Sequence, residues 1–393
     1  MKKKNRWHRA RHNFYYQLIR PFFYLYIKFK YQFHTEKLDN KTRPYLIIFN
    51  HQTAHDQFFL YALCKYTVYF VASDDLLTMG NFSKFLTHVC GIIPIKKNTT
   101  DAAAVQTCYR VAKEGYSIAL APEGNRTYTG ETVHISPAIS KLIKLIKLPV
   151  AIVRISGGYG AAPRWAEKTR RGKVCVSVKR ILEPNEYQSM QNDELYALIK
   201  DELYVDESDD GTVYKDIRRS AEYLERVLYI CPQCGKIGTL RSSGREFFCT
   251  ACGLKTNYHS DKRFDDGFLF PTPLKWQAWQ ETIVRQTNLA SDTAVSADES
   301  VRIDLCVRPK KKCLYRHCLL SLYPAKITLN GEAYPFDAID AMTVCGRNKL
   351  YVYFKDRTLQ IKGNKRFSAL KYVNYYHNFK NASEEKNNEF LGI

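Results

Sequence analysis

A histidine and an aspartate stand five positions apart in the stretch NHQTAHDQFF, directly after the apolar run YLIIF. His51 is the residue type best matched to general-base work at neutral pH. Asp56 could hydrogen-bond the far ring nitrogen and fix the tautomer if a helix begins between them. Sites in open α/β sheets lie beyond the carboxyl ends of strands, which favours a functional role. Two other interpretations stay open: Asp56 caps a helix beside a surface histidine, or His55 joins both residues in a metal site.

Two further polar segments also follow predicted strands. The stretch APEGNRT places Glu123, Gly124 and Arg126 after YSIALA, and GIIPIKKN ends in Lys96 and Lys97. Glycine allows close approach of a ligand to the backbone, and the planar fork of arginine suits phosphate. Each segment has an alternative interpretation. APEGNRT could be a plain turn with a surface ion pair, and GIIPIKKN could be a strand that ends in solvated lysines.

Four short blocks occur in a fixed order: NHxxxxD, GIIPIKK, PEGNRT and LPV. Together they resemble the glycerolipid acyltransferase family of the PlsC type, the 1-acylglycerol-3-phosphate acyltransferases. The segments PRWAEKTRRGKV and ELYALI are similar to a bacterial branch of that family. The resemblance covers roughly residues 15–205 and implies an acyltransferase fold for that part of the chain.

The resemblance implies a role for each matching residue. His51 would be the general base on the free hydroxyl of lysophosphatidic acid, and Asp56 would orient it. The hydroxyl oxygen would then attack the acyl thioester directly, without a covalent enzyme intermediate. Lys97 stands where the family carries an arginine for the substrate phosphate.

The third and fourth blocks would bind the acyl acceptor and the acyl chain. Glu123, Gly124, Arg126 and Thr127 would position the acceptor, with Arg126 on its phosphate, and Pro149 would shape the acyl pocket. The third block reads Glu-Gly-Asn-Arg-Thr here and usually Glu-Gly-Thr-Arg-Ser in the family, so small polar groups are kept. These differences bear on acceptor preference more than on the class of reaction.

Two matched cysteine pairs form the strongest pattern that needs no family. Fourteen residues separate two CxxC pairs, formed by Cys231, Cys234, Cys249 and Cys252. Four thiolates at this spacing predict a tetrahedral structural zinc site, and a redox pair would not need two matched knuckles. Glycine follows each pair, as such turns favour because they expose backbone amides to sulfur.

Alternating β-rich and helical runs predict an α/β layered domain with a mixed sheet flanked by helices. After it we expect a small zinc ribbon and a β-rich module that resembles a pleckstrin-homology or GRAM-like fold. The expected boundaries are 1–35 for a basic, aromatic membrane-associating segment and 36–205 for the acyltransferase domain. They are followed by a linker helix over 206–228, the zinc ribbon over 229–262, and the β-rich module with a short disordered tail over 263–393.

The excess of 60 Lys and Arg over 39 Asp and Glu gives a net charge of +21, which favours anionic partners. The apolar N-terminal segment carries charges too often to span a bilayer, and no secretory signal peptide is evident. We therefore expect peripheral association with the cytoplasmic side of the cell membrane, through an interfacial segment.

The resulting hypothesis is a peripheral enzyme that converts lysophosphatidic acid to phosphatidic acid. Its acyl donor would be acyl-coenzyme A or acyl carrier protein, and zinc would be structural, with no catalytic cofactor. Three alternatives remain: another lysophospholipid as acceptor, a zinc-ribbon protein that binds nucleic acid, and a catalytically silent lipid-binding scaffold. The family blocks argue against nucleic acid as a partner.

Overall fold

The computed structural model describes residues 7, 10–41, 43–96, 101–215, 218–308 and 310–383. The strands of the first half are β1 (Gln32–Thr35), β2 (Leu46–Phe49), β3 (Val68–Ser73), β4 (Ile93–Ile95), β5 (Ser117–Leu120), β6 (Val150–Ser156) and β7 (Lys173–Leu182). Its helices are α1 (Ala10–Lys30), α2 (Asp56–Leu63), α3 (Asn81–Phe85), α4 (Ala102–Lys113), α5 (Ala138–Ile146), α6 (Gly158–Ala161), α7 (Pro184–Ser189) and α8 (Asn192–Leu203). A 3-10 turn spans Asp74–Thr78 and a π-helical turn spans Leu86–Cys90. The predicted strands and helices of this half are confirmed.

The seven strands form one mixed sheet in the order β1-β7-β6-β2-β5-β3-β4. Strands β6, β2, β5, β3 and β4 run parallel, whereas β7 is antiparallel to β6. All four residues of β2 are buried, as expected for a parallel strand covered on both faces. Ile47 and Phe49 pack into the core on one face, and Leu46 and Ile48 into the core on the other.

Helix α4 begins and ends at residues whose types favour helix ends. The side chain of Asp101 accepts a hydrogen bond from the backbone N–H of Ala104 and so caps the first turn. Gly115 adopts a left-handed φ of 81°, which ends the helix with little steric cost. Such local signals position the helices that cover the sheet.

The second half contains a small sheet and a larger one. Its elements are β8 (Leu240–Ser243), β9 (Glu246–Cys249), β10 (Lys255–Asn257), α9 (Pro273–Arg285), β11 (Ser296–Val307), β12 (Lys310–Leu322), β13 (Lys326–Leu329), β14 (Glu332–Pro335), β15 (Ala341–Cys345), β16 (Lys349–Tyr353), β17 (Thr358–Lys362) and α10 (Ala369–Ser383). Strands β8 to β10 form a three-stranded antiparallel sheet around the cysteines. The other seven strands form an antiparallel sheet in the order β14-β13-β12-β11-β17-β16-β15, followed by α10. The predicted β-rich module is confirmed, and we refer to β11–α10 as the C-terminal module.

The predicted linker helix over 206–228 is wrong. In the described part of that segment the single helical element is a 3-10 turn at Leu224–Arg226. The chain is buried at every position from this turn to Cys231. An exposure of at most 1% is found for Val227, Leu228, Tyr229 and Ile230. An amphipathic helix would expose one face, so burial on all sides overrides the helical propensity of this stretch.

Helix α1 covers the sheet domain with one face and exposes an apolar stripe on the other. On the inner face, Tyr16 donates a hydrogen bond to the carbonyl of Cys64 at 3.2 Å, and the ring of Phe23 packs on Phe58. The outer stripe has large apolar side chains three or four positions apart: Phe14, Leu18, Phe22, Leu25 and Phe29. Among the described residues, no helix is both long enough and apolar enough to cross a bilayer.

Helix α5 ends at a strained residue that gives a test of the fold. Lys147 follows the helix with a left-handed φ of 58° and is exposed. We expect Lys147→Gly to stabilise the protein by about 0.5–1 kcal/mol, because glycine adopts this conformation without steric cost. A rise in Tm would support this reading, and Lys141→Gly inside the same helix should instead lower Tm. Equal shifts for both variants would contradict it.

Candidate active site and metal centre

The structure brings His51 and Asp56 into direct contact at the carboxyl edge of the parallel strands. The Nδ1 atom of His51 lies 2.7 Å from Oδ2 of Asp56. A carboxylate oxygen accepts, so this nitrogen carries the proton and Nε2 is left as the basic atom. The His51 side chain is 25% exposed, whereas that of Asp56 is 1% exposed. This arrangement has the geometry of a base with its orienting group.

Asp56 is held by the chain that surrounds it. Its oxygens accept hydrogen bonds from the backbone N–H groups of Gln52 and Thr53, at 2.8 and 2.9 Å, and from the Thr53 hydroxyl at 2.8 Å. These donors belong to the turn that connects β2 to α2. The turn therefore fixes the carboxylate, and the carboxylate fixes the imidazole. The motif gives no signal for Thr53, which occupies a variable position of the NHxxxxD block.

His55 faces away from this pair. Its Nδ1 atom lies 2.7 Å from the hydroxyl of Tyr31, and its ring stacks near Phe58. Burial and the nearby charge of Lys30 lower the pKa of His55 to about 4, so the ring is neutral at pH 7. Among the described residues, three or more potential metal ligands converge only at the four cysteines. His51, His55 and Asp56 therefore do not form a metal site in this arrangement.

Glu123 connects the loop after β5 to the backbone of His51. One carboxyl oxygen accepts from the His51 N–H at 2.6 Å, and the other accepts from the Val133 N–H at 3.0 Å. Burial raises the pKa of Glu123 to about 8. The N–H of Thr127 also donates to the carbonyl of His51 at 3.0 Å. The loop after β5 therefore positions His51 through its main chain.

The other residues of the PEGNRT block divide into exposed and internal ones. Gly124 is exposed, has a φ of 66°, and a Cβ placed there would meet nothing within 4 Å. The hydroxyl of Thr127 accepts from the N–H groups of Thr129 and Gly130 and so stabilises its own loop. Arg126 is half-buried, and burial together with the charge of Arg164 lowers its pKa to about 10, which leaves it protonated at pH 7.

One predicted residue, Pro149, is not brought to this site. Pro149 precedes β6 at the opposite edge of the sheet, where its carbonyl accepts from the N–H of Leu46. Strands rise about 3.3 Å per residue, so Pro149 lies roughly 15 Å or more from the level of His51. Lys97 lies outside the described residues.

Arg164, in the PRWAEK segment, is a further residue of this region that the sequence patterns do not single out. Its guanidinium is 2% exposed and donates to the carbonyl of Arg126 at 3.0 Å. A single arginine in a basic chain gives no sequence signal of burial. The proline and tryptophan that flank it are the available hint, since Trp165 is fully buried.

The four predicted cysteines form one cluster. The sulfur atoms all lie within 4.8 Å of one another, with Cys231 and Cys252 at 3.6 Å and Cys234 and Cys249 at 3.8 Å. A tetrahedral site with Zn–S bonds of about 2.3 Å has sulfur–sulfur edges of about 3.8 Å. The cluster could therefore hold a structural metal ion.

The two knuckles have the same backbone geometry. Gly235 donates to the carbonyl of Cys231, and Gly253 donates to that of Cys249. Both glycines have a left-handed φ, at 69° and 77°. The Ala251 N–H also donates to the sulfur of Cys249 at 3.4 Å, as expected for a turn that offers amides to a thiolate.

Comparisons with known proteins match the first half of the chain to an enzyme family. The model of the Acyltransferase family matches residues 30–156, which include His51, Asp56 and Arg126. A search of curated proteins finds no match. Two solved structures are similar at 18% identity.

One is the 1-acyl-sn-glycerophosphate acyltransferase PlsC from Thermotoga maritima, with a TM-score of 0.40 over 48% of this chain and 76% of that chain. The other is the N-terminal PH domain of human ARAP2, with a TM-score of 0.19 over 25% of this chain and 90% of that chain. Residues 30–156 therefore match the Acyltransferase family model, and this stretch is less than half of the 393 residues.

Proposed function

We propose that the protein transfers a fatty acyl group from a thioester to the free hydroxyl of 1-acyl-sn-glycerol-3-phosphate, and so makes phosphatidic acid. The observation that carries the proposal is the His51–Asp56 contact of 2.7 Å at the carboxyl edge of the sheet, inside the region that matches the Acyltransferase family. Acyl-coenzyme A and acyl carrier protein are both suitable donors, because each presents the same thioester.

In the proposed reaction, Nε2 of His51 takes the proton of the acceptor hydroxyl as its oxygen attacks the thioester carbonyl. The new C–O bond forms, the tetrahedral intermediate collapses, and the C–S bond breaks. The departing sulfur then receives the proton from His51. Asp56 stabilises the imidazolium that forms on His51. A buried carboxylate contributes most of its stabilisation at this step.

The acceptor phosphate is the substrate group that most needs a cation. Arg126 supports this assignment, because its guanidinium is charged at neutral pH and follows directly from the loop that holds His51. Gly124 leaves open space beside it, so a headgroup could approach the backbone closely. Glu123 would act as a positioning residue, since both of its oxygens accept from backbone N–H groups.

The outer stripe of α1 supports work at a membrane surface, where both substrate and product reside. Phe22 and Phe29 are 68% and 81% exposed, which costs free energy in water. The stripe runs along one face of a helix of 21 residues, with Lys28 near its end. An apolar face with flanking cations suits the headgroup region of an anionic leaflet, and we propose the cytoplasmic side of the cell membrane.

We propose that the ion in the four-cysteine cluster is zinc. Zinc prefers four tetrahedral thiolates, and the sulfur separations of 3.6 and 3.8 Å fit its bond length. The cluster belongs to β9 and to the turns beside it, far along the chain from His51. Its role would be structural, and no catalytic cofactor is part of the proposal.

The reaction can be tested with His51→Ala. We expect kcat for transfer to lysophosphatidic acid to fall by about 10²–10⁴-fold, because a positioned general base contributes that much. His55→Gln is the matched control, because the His55 ring bonds to the Tyr31 hydroxyl. We expect the kcat of this variant to fall less than tenfold.

The assay uses membranes or vesicles and crosses both acyl donors with lysophosphatidic acid, lysophosphatidylcholine and lysophosphatidylethanolamine. Transfer that survives His51→Ala within threefold would refute the proposed base. Preference for an acceptor other than lysophosphatidic acid would refute the proposed substrate while leaving the reaction class intact.

The membrane contact can be tested by changing the apolar stripe. The double variant Phe22→Ser with Phe29→Ser should lower partitioning onto anionic vesicles by about tenfold or more per ring, because each lost ring removes roughly 1.5–3 kcal/mol of apolar burial. Tyr109→Ser removes an exposed ring from α4 and should leave vesicle binding unchanged. Vesicle flotation measures the binding, and undiminished flotation of the double variant would refute the contact.

The metal can be tested by elemental analysis and by Cys252→Ser. We expect one zinc ion per chain in the purified protein, and its loss together with a lower Tm in the variant, because metal binding contributes directly to folding. Cys313→Ser changes a cysteine outside the cluster and should keep both zinc and Tm. A metal-free wild-type protein with an unchanged Tm in chelator would contradict this assignment.

A further inference from the structure

The C-terminal module lies against the block that is proposed to bind the acyl acceptor. The side chain of Asn125 donates to the hydroxyl of Thr343 at 3.3 Å, and a guanidinium nitrogen of Arg126 donates to the carbonyl of Gly346 at 2.8 Å. Thr343 lies in β15, and Gly346 begins the turn between β15 and β16. Two halves of the chain more than 200 residues apart therefore meet at one loop.

Arg164 makes hydrogen bonds to both of these segments. Its guanidinium donates to the carbonyl of Arg126 at 3.0 Å on the acyltransferase side. On the module side, it donates to the carbonyls of Gly346 and Val344 at 3.0 and 2.6 Å. The group also lies 4.2 Å from the centre of the Tyr128 ring. One buried cation is thus satisfied by carbonyl oxygens of both halves.

The Gly346 carbonyl is the point where these contacts converge. It accepts from the side chains of both Arg126 and Arg164, which matches the two lone pairs of a carbonyl oxygen. Arg126 has five N–H donors, so a single bond to Gly346 fixes the direction of its fork and leaves other donors for a ligand. A contact of this kind orders the arginine without neutralising it.

Other contacts extend the module along the same edge of the sheet. Arg308 lies 3.6 Å from Asp74, and the hydroxyl of Tyr353 lies 3.5 Å from it, just after β3 ends. The side chain of Arg347 donates to the carbonyl of Ala166 at 2.9 Å. The module therefore contacts segments that follow β3, β5 and β6, and His51 follows β2 at the same edge.

We infer that Arg164 is a positioning residue for acyl transfer, and that the C-terminal module completes the acceptor site. Arg164 clamps the β15–β16 turn onto the PEGNRT loop, and the Gly346 carbonyl of that turn then aims Arg126 at the phosphate of the acceptor. This inference rests on the proposed function. It predicts that discrimination for a phosphate-bearing acceptor depends on residues outside the acyltransferase-family region.

Arg226 offers a matched control for a contact that only joins the halves. It is also 2% exposed, donates to the carbonyls of Lys365 and Trp165 at 2.7 Å, and pairs with Glu167. It stacks on a tyrosine ring at 4.3 Å, much as Arg164 does. Among the residues that the structure describes, the Arg226 guanidinium bonds to Lys365, Trp165 and Glu167 rather than to Arg126, so its loss tests domain docking alone.

The experiment compares transfer to lysophosphatidic acid with transfer to monoacylglycerol, which lacks the phosphate. We expect Arg164→Lys to raise KM for lysophosphatidic acid about tenfold while leaving transfer to monoacylglycerol within threefold. Arg226→Lys should leave the ratio of kcat/KM for the two acceptors unchanged. Gly346→Ala strains a residue with a φ of 67° and should shift the ratio in the same direction as Arg164→Lys, without disturbing a buried charge.

The outcomes separate this inference from the proposed function. If wild-type protein does not acylate lysophosphatidic acid, the proposed function and this inference both fall. If wild-type protein does so but Arg164→Lys and Gly346→Ala keep its acceptor ratio, the inference alone is overturned. Equal loss of transfer to both acceptors in the Arg164 and Arg226 variants would also overturn it, since that result reduces Arg164 to a structural link.

Discussion

The buried carboxylate of Asp56 is the constraint on which the rest of the site depends. A carboxylate that is 1% exposed requires hydrogen-bond donors to offset its lost hydration. The turn after β2 supplies backbone and hydroxyl donors from Gln52 and Thr53, and His51 supplies the remaining N–H. The turn cannot change shape without exposing this charge, and so the imidazole is held in one orientation and one tautomer before any substrate arrives.

This constraint reaches the neighbouring loop through the main chain of His51. The backbone N–H of His51 donates to Glu123, and its carbonyl accepts from Thr127. Both atoms are thereby tied to the loop after β5, next to β2 in the sheet. The block that would bind the acceptor and the residue that would take its proton form one hydrogen-bonded unit. Preorganisation of this kind lowers the entropy cost of bringing the reacting groups together.

Much of this could be predicted from the sequence, because the informative signals are local. The run YLIIF indicates a strand, the alternating β-rich and helical runs predict the mixed sheet with its helices, and the two CxxC pairs predict the thiol cluster. Motif order does not reveal which edge of the sheet a residue occupies, and Pro149, assigned to the acyl pocket by the family resemblance, lies at the edge opposite His51. The predicted linker helix is wrong because tertiary burial on every side determines the conformation of that segment.

Contacts between distant segments have no signal in the sequence, and they determine which residues the PEGNRT loop contacts. Tyr128 and Trp165 of the first half share one hydrophobic core with Cys231, Phe247 and residues of the C-terminal module. A metal ion on the cysteines would stabilise the knuckles that border this core. Since the same core supports the Tyr128 ring beside Arg164, packing connects the thiol cluster to the PEGNRT loop, although no cysteine of the cluster lies near His51 in sequence. The second half of the chain is thus connected to the His51 site through packing around the buried Arg164.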